Sequence, residues 1–120
     1  MENLATIGEL AGKYDLTHRT VRFWEQKGLV RPVPTDSHRR HYTQSEVTYV
    51  GELVRLKKCL FSLHSMKFWR GAGLSVKRKL LEQQRAENNR KISELHQAQD
   101  EVSKMLVEIS QQEVTSRLAR

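Results

Sequence analysis

The sequence has few of the residues that cross-link a chain or carry it into a membrane. Cys59 is its only cysteine, so no disulfide can form within the chain, which is typical of a reducing compartment. No apolar run approaches the roughly 20 residues that a membrane-spanning helix needs. The first residues also lack the basic and apolar regions of a signal peptide. We therefore expect an intracellular, cytoplasmic protein without a membrane partner.

Patterns typical of catalytic and cofactor sites are missing as well. The sequence contains no carboxylate dyad, no nucleophile with a nearby base and no glycine-rich phosphate loop. His38 and His41 could supply only half of a tetrahedral zinc site, so exposure or proximity to phosphate accounts for them better. A lone cysteine is usually a small buried hydrophobic residue, so we do not expect Cys59 to sense redox signals. We therefore expect that the protein is not an enzyme and that it has neither a cofactor nor a metal site.

Positive charge is what the sequence has in excess. Lysine and arginine total 21 against 14 acidic residues, a net charge of +7. Residues 1–73 carry +5 of this charge, and residues 74–120 carry only +2. Cations that displace counterions from phosphates are the general source of affinity for DNA. The front part of the chain is therefore the candidate for binding nucleic acid.

Two short helices are predicted at the start of the chain. Thr6 and Glu9 form a capping-box pattern, in which each side chain satisfies a backbone donor of the first turn. Thr17 is the next candidate N-cap, and Gly28 is suited to the position just after the second helix. Two short helices separated by three or four residues indicate a helix-turn-helix.

A two-stranded ribbon is predicted after the second helix. Residues 29–33 and 39–42 have the composition of strands, and residues 34–37 have that of a turn. Pro32 and Pro34 limit the first strand to an edge position. Such a ribbon is not stable alone and must pack on the helices.

Two more short helices are predicted after the ribbon. Thr43 and Glu46 repeat the capping-box pattern, with Tyr42 and Val47 at the two positions of a hydrophobic staple. Ser62 is the candidate N-cap of the fourth helix, which ends at the Gly-Ala-Gly sequence of residues 71–73. These helices complete a predicted domain of residues 1–73.

Residues 75–111 contain neither proline nor glycine and are predicted to form one long helix. A helix of about 35 residues is about 52 Å long, which no core of this small chain can cover. Its apolar residues keep a seven-residue period, interrupted by polar residues, as in a coiled coil. The predicted homodimer seam consists of Leu81, Asn88, Leu95, Val102 and Ile109 at one heptad position, and Ile92 and Leu106 at the other. The alternative is a solvated or partly disordered tail.

The run Leu16-Thr-His-Arg-Thr-Val-Arg-Phe-Trp-Glu-Gln-Lys-Gly-Leu-Val-Arg-Pro32 resembles the second helix and following turn of MerR-family transcription regulators. The sequence Arg40-His41-Tyr42 is similar to the Arg-x-Tyr of that family's wing, and Phe61-Ser62-Leu63 to the start of its fourth helix. The resemblance covers residues 6 to about 70. It implies a mainly α winged helix-turn-helix, with four short helices and a two-stranded wing. One long coiled-coil dimerisation helix and a short tail would then occupy residues 74–120.

Two positions depart from the family pattern. The sequence Asp36-Ser37-His38-Arg39 stands where the wing usually has an Asn-Gly-type turn, and it is one residue short. Leu60 replaces the small residue, often glycine, that is expected before Phe61.

The resemblance also implies which side chains contact double-stranded DNA. The second helix enters the major groove, whose width of about 12 Å admits one helix. The wing contacts phosphates, which position the protein without reading sequence. The candidate DNA-binding residues are Thr17, His18, Arg19, Arg22 and Phe23 on the helix, and Arg39, Arg40 and Tyr42 on the wing. A solvated basic face is the alternative for the helix, and Trp24 is expected to belong to the core.

The function that follows is sequence-specific transcription regulation by a homodimer at a pseudo-palindromic promoter site. The resemblance implies antiparallel pairing of the long helices and, in many members of the family, distortion of the promoter. RNA polymerase or an effector protein is a further candidate partner, and the protein would associate with the bacterial nucleoid. The alternative is an architectural or recombination-accessory protein that uses the same winged fold. The number of genomic sites bound would distinguish the two.

Overall fold

The computed structural model describes residues 3–35 and 39–119. This part of the chain forms a mainly helical structure with a two-stranded sheet, in the order β1 (Ala5–Thr6), α1 (Ile7–Lys13), α2 (His18–Gln26), β2 (His41–Tyr42), α3 (Gln44–Lys58), α4 (Leu63–Lys67) and α5 (Leu74–Leu118). It divides into two compact units, Met1–Leu80 and Leu81–Arg120, and α5 contributes to both. None of the described helices is both long and apolar enough to cross a membrane.

Side-chain caps begin the first four helices at the predicted residues. In each, a hydroxyl oxygen accepts a hydrogen bond from the backbone N–H three residues later, at 3.0–3.1 Å; the caps are Thr6, Thr17, Thr43 and Ser62. Each bond satisfies one of the donors that the first helical turn leaves without a partner. The cap at Thr17 fixes where α2 starts, and therefore which side chains lie at its N-terminus.

The second predicted capping box is only half present. Thr43 caps α3, but the carboxylate of Glu46 does not accept the backbone N–H of Thr43, which a complete capping box requires. Glu46 is buried and instead accepts hydrogen bonds from the Arg31 backbone N–H at 2.8 Å and from the Arg70 guanidinium at 2.6 and 3.0 Å. A buried carboxylate needs a compensating charge, which the arginine supplies and a cap would not. Arg70 also donates to the Leu29 carbonyl at 3.0 Å, so it joins three segments of the first compact unit, Met1–Leu80, which is called the winged unit below.

The sheet differs from the predicted ribbon. β2 pairs antiparallel with β1, with Ala5 opposite Tyr42 and Thr6 opposite His41. Residues 29–33 supply only one isolated bridge, from Val33 to His41. Prolines on both sides of Val33 lack the N–H that a longer ladder would require. The predicted turn falls partly on residues 36–38, which lie outside the described residues.

One hydrophobic core holds the winged unit together. It receives side chains from α1, α2, α3 and α4 and from the segments between them: Ala5, Leu10, Ala11, Val21, Trp24, Leu29, Val30, Tyr42, Val47, Val50, Leu53, Leu56, Phe61 and Met66. Trp24 is among the buried residues, as predicted. Tyr42 and Val47, the two predicted staple residues, are buried as well. The core therefore fixes α2 by one face and leaves its other face to solvent.

The same turn ends α2 and α3. At the end of each helix, two backbone hydrogen bonds form a Schellman motif, which contains a residue with positive φ. Gly28 holds that position after α2, as predicted, with φ of 76°. Leu60 holds it after α3, with φ of 71°, so leucine adopts the turn that normally takes glycine. Cys59, the C-cap of α3, is exposed, so the expectation of a buried cysteine is wrong; the cap lies where the chain leaves the helix.

The long helix is longer than predicted. α5 covers 45 residues, Leu74–Leu118, and none of them is buried. Leu80 packs against the core of the winged unit, whereas the apolar side chains from Leu81 onward are exposed. An apolar row of this length without a cover is unusual in a monomer.

Candidate nucleic-acid interface

Helix α2 presents one apolar and one basic face. Val21 and Trp24 point into the core, and both are almost completely buried. Arg19 and Arg22, three residues apart on the opposite face, are exposed. Phe23 is 40 % exposed beside them. The structure therefore leaves the candidate contact residues of this helix accessible to a ligand.

The N-terminus of α2 carries two further candidates. Thr17 is exposed, but its hydroxyl accepts from the Thr20 N–H at 3.0 Å and lies 2.9 Å from the Thr20 hydroxyl. His18, the first residue of the helix, is exposed and lies beside Gly8 of α1. Helix N-termini attract anions through free N–H groups and the helix dipole. The position suits an approach by a phosphate group.

The wing and α2 together surround a basic groove. The groove encloses about 450 Å³ and is lined by Thr6, Ile7, Arg22, Arg39 and Arg40. Three arginines thus meet from α2 and from the segment before β2, although Arg39 lies 17 positions after Arg22 in the sequence. Among residues 3–35 and 39–119, no acidic residue lines the groove. Such a concentration of positive charge favours a polyanion.

Sequence analysis did not identify Thr6 and Ile7 as part of this groove. Thr6 was predicted only as a cap, which it is. It reaches the groove because β1 pairs with β2, and this pairing brings the start of α1 beside the arginines. No pattern within the first residues signals the contact, since it depends on a strand pair 35 residues or more apart.

Glu25 joins α2 to the wing. Its carboxylate accepts a hydrogen bond from Arg40 Nε at 2.6 Å and another from the Tyr42 hydroxyl. Burial is the main cause that raises the pKa of Tyr42, and the hydrogen bond to Glu25 is the second. The hydroxyl therefore stays protonated and donates. The sequence analysis missed Glu25, because its partners lie 15 and 17 residues away.

Tyr42 does not lie where a direct phosphate contact requires it. Its side chain is fully buried, and its hydroxyl is bonded to Glu25. The structural role predicted for it is present, whereas the predicted contact with phosphate lacks an accessible donor. Arg39 and Arg40 remain exposed beside it.

The histidines of the wing form no metal cluster in the described part of the chain. Within residues 3–35 and 39–119, no three His, Cys, Asp or Glu side chains are placed to hold a metal ion. The ring nitrogen Nδ1 of His41 lies 3.2 Å from the carbonyl oxygen of Arg39. His38 lies outside the described residues.

The candidate dimerisation residues lie along α5. Six apolar members of the predicted seam are 43–65 % exposed: Leu81, Ile92, Leu95, Val102, Leu106 and Ile109. Asn88, the polar member, accepts a hydrogen bond from Gln84 Nε2 at 2.8 Å. Its position one heptad from Leu81 and Leu95 interrupts the apolar row.

Comparison with known proteins identifies the family. A sequence model of the MerR HTH family of regulatory proteins matches residues 5–64, half of the chain. No curated protein sequence matches the chain.

Solved structures with the same fold include three regulators, two of which are described as MerR-family proteins. A MerR-family transcriptional regulator from Bacillus cereus is 23 % identical, with a TM-score of 0.64 over 85 % of this chain and 81 % of that one. HiNmlR, a MerR-family regulator lacking the sensor domain and bound to promoter DNA, is 24 % identical, with a TM-score of 0.59 over 88 % and 89 %. A transcription regulator from Ralstonia metallidurans in complex with lead(II) is 23 % identical, with a TM-score of 0.71 over 83 % and 84 %.

The match covers the elements that build the basic groove. Residues 5–64 include the five described lining residues of the groove, as well as Glu25 and Tyr42. The winged unit with its exposed basic helix and the family match agree. The chain belongs to the MerR HTH family and has the DNA-binding fold of its transcriptional regulators.

Proposed function

We propose that this protein regulates transcription by binding a specific double-stranded DNA site as a homodimer. The observation that carries the proposal is the groove of three arginines next to the exposed face of α2. In this arrangement Arg19 and Arg22 on α2 reach base edges in the major groove. Arg39 and Arg40 contact phosphates on the same duplex. Thr17, His18 and Phe23 lie on the same side of the helix-turn-helix and complete the contact surface.

The dimer is supported by the uncovered apolar row of α5. Its residues repeat at two heptad positions, with Leu81, Asn88, Leu95, Val102 and Ile109 at position d and Ile92 and Leu106 at position a. A helix with such a row buries it against another helix. A second copy of the same chain offers an identical row of the required length. The proposed occupant of this row is therefore α5 of a second copy.

Charges at the a positions favour antiparallel pairing. A parallel, in-register pair would oppose each a residue to its own copy, so Arg78, Arg85 and Glu113 would each face a like charge. Like charges that face each other destabilise a seam. Reversing one helix places a positions opposite d positions and removes these repulsions.

One antiparallel register also matches polarity. When Ile92 faces Leu95 of the second copy, Leu81 faces Leu106, and Asn88 faces Gln99. In these three layers apolar residues meet apolar residues and the two amides meet each other, whereas Val102 and Ile109 face the long side chains of Arg85 and Arg78, whose aliphatic stems can cover them. A shift by one heptad would oppose Gln99 to a leucine and leave its amide without a partner in the seam, which is costly.

A twofold dimer implies a pseudo-palindromic target, because the two α2 helices are related by the same axis as the two half-sites. The promoter-bound structure of HiNmlR, a regulator with the same fold, supports a promoter as the target. Distortion of the promoter by the bound dimer is part of this proposal. RNA polymerase, or a protein effector, is the further partner that such regulation requires.

A genome-wide binding map tests the proposal directly. A regulator should occupy one or a few promoters, whose sequence defines two half-sites. A duplex with both half-sites should then bind much more tightly than a duplex with one, because the second contact forms at high effective concentration. Occupancy of many unrelated sites with a low specificity ratio would contradict the proposal and indicate an architectural protein.

A further inference from the structure

A buried carboxylate lies beside the proposed DNA contacts. The side chain of Glu25 on α2 is only 9 % exposed, and it forms an ion pair of 2.6 Å with Arg40 Nε. It also accepts the hydroxyl of Tyr42 in β2. Arg40 precedes β2 in the chain. One side chain of the helix proposed to read DNA therefore holds two side chains of the wing.

The geometry of this ion pair leaves most of the arginine available. Guanidinium has five N–H donors in a rigid fork, and the bond to Glu25 is made by Nε. Within residues 3–35 and 39–119, no hydrogen bond is formed by its two terminal nitrogens. The Arg40 side chain is 48 % exposed and lines the basic groove. The two terminal nitrogens can thus donate together to an anion while Nε stays bonded to Glu25.

We propose that Glu25 is a positioning residue for DNA binding, which holds Arg40 so that its terminal nitrogens face a backbone phosphate. The inference rests on the proposed function and assigns a role to a residue that does not itself touch DNA. Bidentate contact between arginine and phosphate is strongly directional, so a fixed guanidinium binds better than a mobile one. Tyr42 holds the carboxylate from its other side and prevents it from following Arg40 into the groove.

The sign of the effect separates this role from simple electrostatics. A carboxylate near DNA repels phosphates, so its removal should raise affinity if charge alone matters. If Glu25 positions Arg40, its removal should lower affinity, although the net charge of the chain becomes more positive. Glu25→Gln removes the charge and the contact with Arg40 but keeps the contact with Tyr42. Its amide oxygen can still accept from Tyr42, whereas its amide N–H₂ opposes the Nε donor of Arg40.

The experiment measures the salt dependence of binding to the two-half-site duplex. It compares the parent with Glu25→Gln, with Arg40→Ala and with the double variant. Glu25→Gln and Arg40→Ala should each weaken binding by about tenfold and lower the slope of log K against log salt by about one per half-site. The double variant should bind no more weakly than Arg40→Ala. Glu101→Gln, on the exposed surface of α5, is the control for the added charge and should keep the parent slope.

The outcomes distinguish the inference from the proposed function. A parent chain without salt-dependent binding would overturn the proposed function. Tighter binding by Glu25→Gln, an unchanged slope, or additive losses in the double variant would overturn only the positioning role. Arg40→Lys gives a second test that keeps the charge, because lysine lacks the planar fork by which Nε bonds to Glu25 while the two terminal nitrogens bind a phosphate bidentately. The slope of log K against log salt should fall by as much as in Arg40→Ala. Parent-like binding by Arg40→Lys would contradict the inference.

Discussion

At the scale of single residues, Leu60 stands in a backbone conformation that favours glycine. Its φ is 71°, and its side chain is 61 % exposed, so little burial offsets the strain. A left-handed conformation costs an L-residue about 1–2 kcal/mol, part of which glycine loses again through its greater freedom when unfolded. We expect Leu60→Gly to raise the free energy of unfolding by about 1 kcal/mol, as measured by urea denaturation.

Gly28 supplies the matched control for that prediction, because it occupies the same position of the same turn. A Cβ at Gly28 would have nothing within 4 Å, so Gly28→Ala changes the backbone preference alone. It should destabilise the fold by about 1 kcal/mol. If Leu60→Gly lowers stability instead, the leucine side chain makes a contribution larger than the strain.

Arg22 is the residue for which base recognition is expected. It is exposed on α2 and lines the basic groove. Arg22→Ala should weaken binding to the specific duplex by more than about 1 kcal/mol and relax preference at one base of each half-site. Binding to random DNA should change less. Titration of both duplexes at one salt concentration measures this, and equal losses would make Arg22 a phosphate contact.

The residues that sequence analysis identified and those it missed differ in the range of their contacts. The caps Thr6 and Thr17 could be predicted because they bond three residues along the chain. Glu25 could not, since its partners are brought to it by the fold. Tyr42 was found by its motif, yet its burial, and hence the direction of its hydroxyl, follows from packing alone. Contacts between residues close in sequence can be predicted from local patterns. Contacts between distant residues can be predicted only when those residues belong to a known motif.

At the scale of elements, the same distinction explains the helices and the sheet. Apolar spacing and caps predicted α1 to α4, because both signals act within one helix. The pairing of β1 with β2 was missed, since β1 has only two residues, the second of which is the cap of α1, and so shows no alternating pattern. The Tyr42 strand was identified correctly, but β1 is its main partner, and the predicted partner, residues 29–33, contributes one bridge at Val33. The prolines that border Val33 explain why residues 29–33 do not continue the ladder.

The ion pair of Glu46 and Arg70 holds the winged unit together across its elements. Arg70 bonds to Glu46 in α3 and to the Leu29 carbonyl after α2, and its side chain is 26 % exposed. Among the described residues, Arg70→Ala leaves the buried carboxylate with one remaining donor, the Arg31 backbone N–H. We expect a loss of about 2–3 kcal/mol in the free energy of unfolding.

A matched arginine in α5 checks this prediction. Arg90 pairs with Glu87 and Glu94 on an exposed helix surface, where solvent screens the charges. Arg90→Ala should therefore leave the denaturation midpoint of the chain nearly unchanged. A comparable loss in both variants would show that the Arg70 contacts contribute no more than an exposed ion pair.

At the scale of the whole molecule, the proposed dimer depends on the apolar seam of α5. Leu95 is 65 % exposed and lies near the centre of the proposed seam. Leu95→Asp would place a charge in an apolar interface, at a cost of several kcal/mol without a partner. We expect this variant to sediment as a monomer at micromolar concentration. Its winged unit should stay folded, as checked by circular dichroism. Gln97→Asp, two residues along and off the seam, is the control and should remain dimeric.

The orientation of the pair is tested by disulfide cross-linking in a Cys59→Ser background. The proposed antiparallel register places Leu81 opposite Leu106 of the second copy, close enough for a disulfide, which needs Cβ atoms about 4 Å apart. Leu81→Cys combined with Leu106→Cys should therefore oxidise to a covalent dimer. These positions lie about 37 Å apart along one helix, so the bond cannot form within a chain. Neither single variant should cross-link at a comparable rate. A parallel seam would oppose each position to its own copy, so rapid dimer formation by Leu81→Cys alone would reject the antiparallel arrangement.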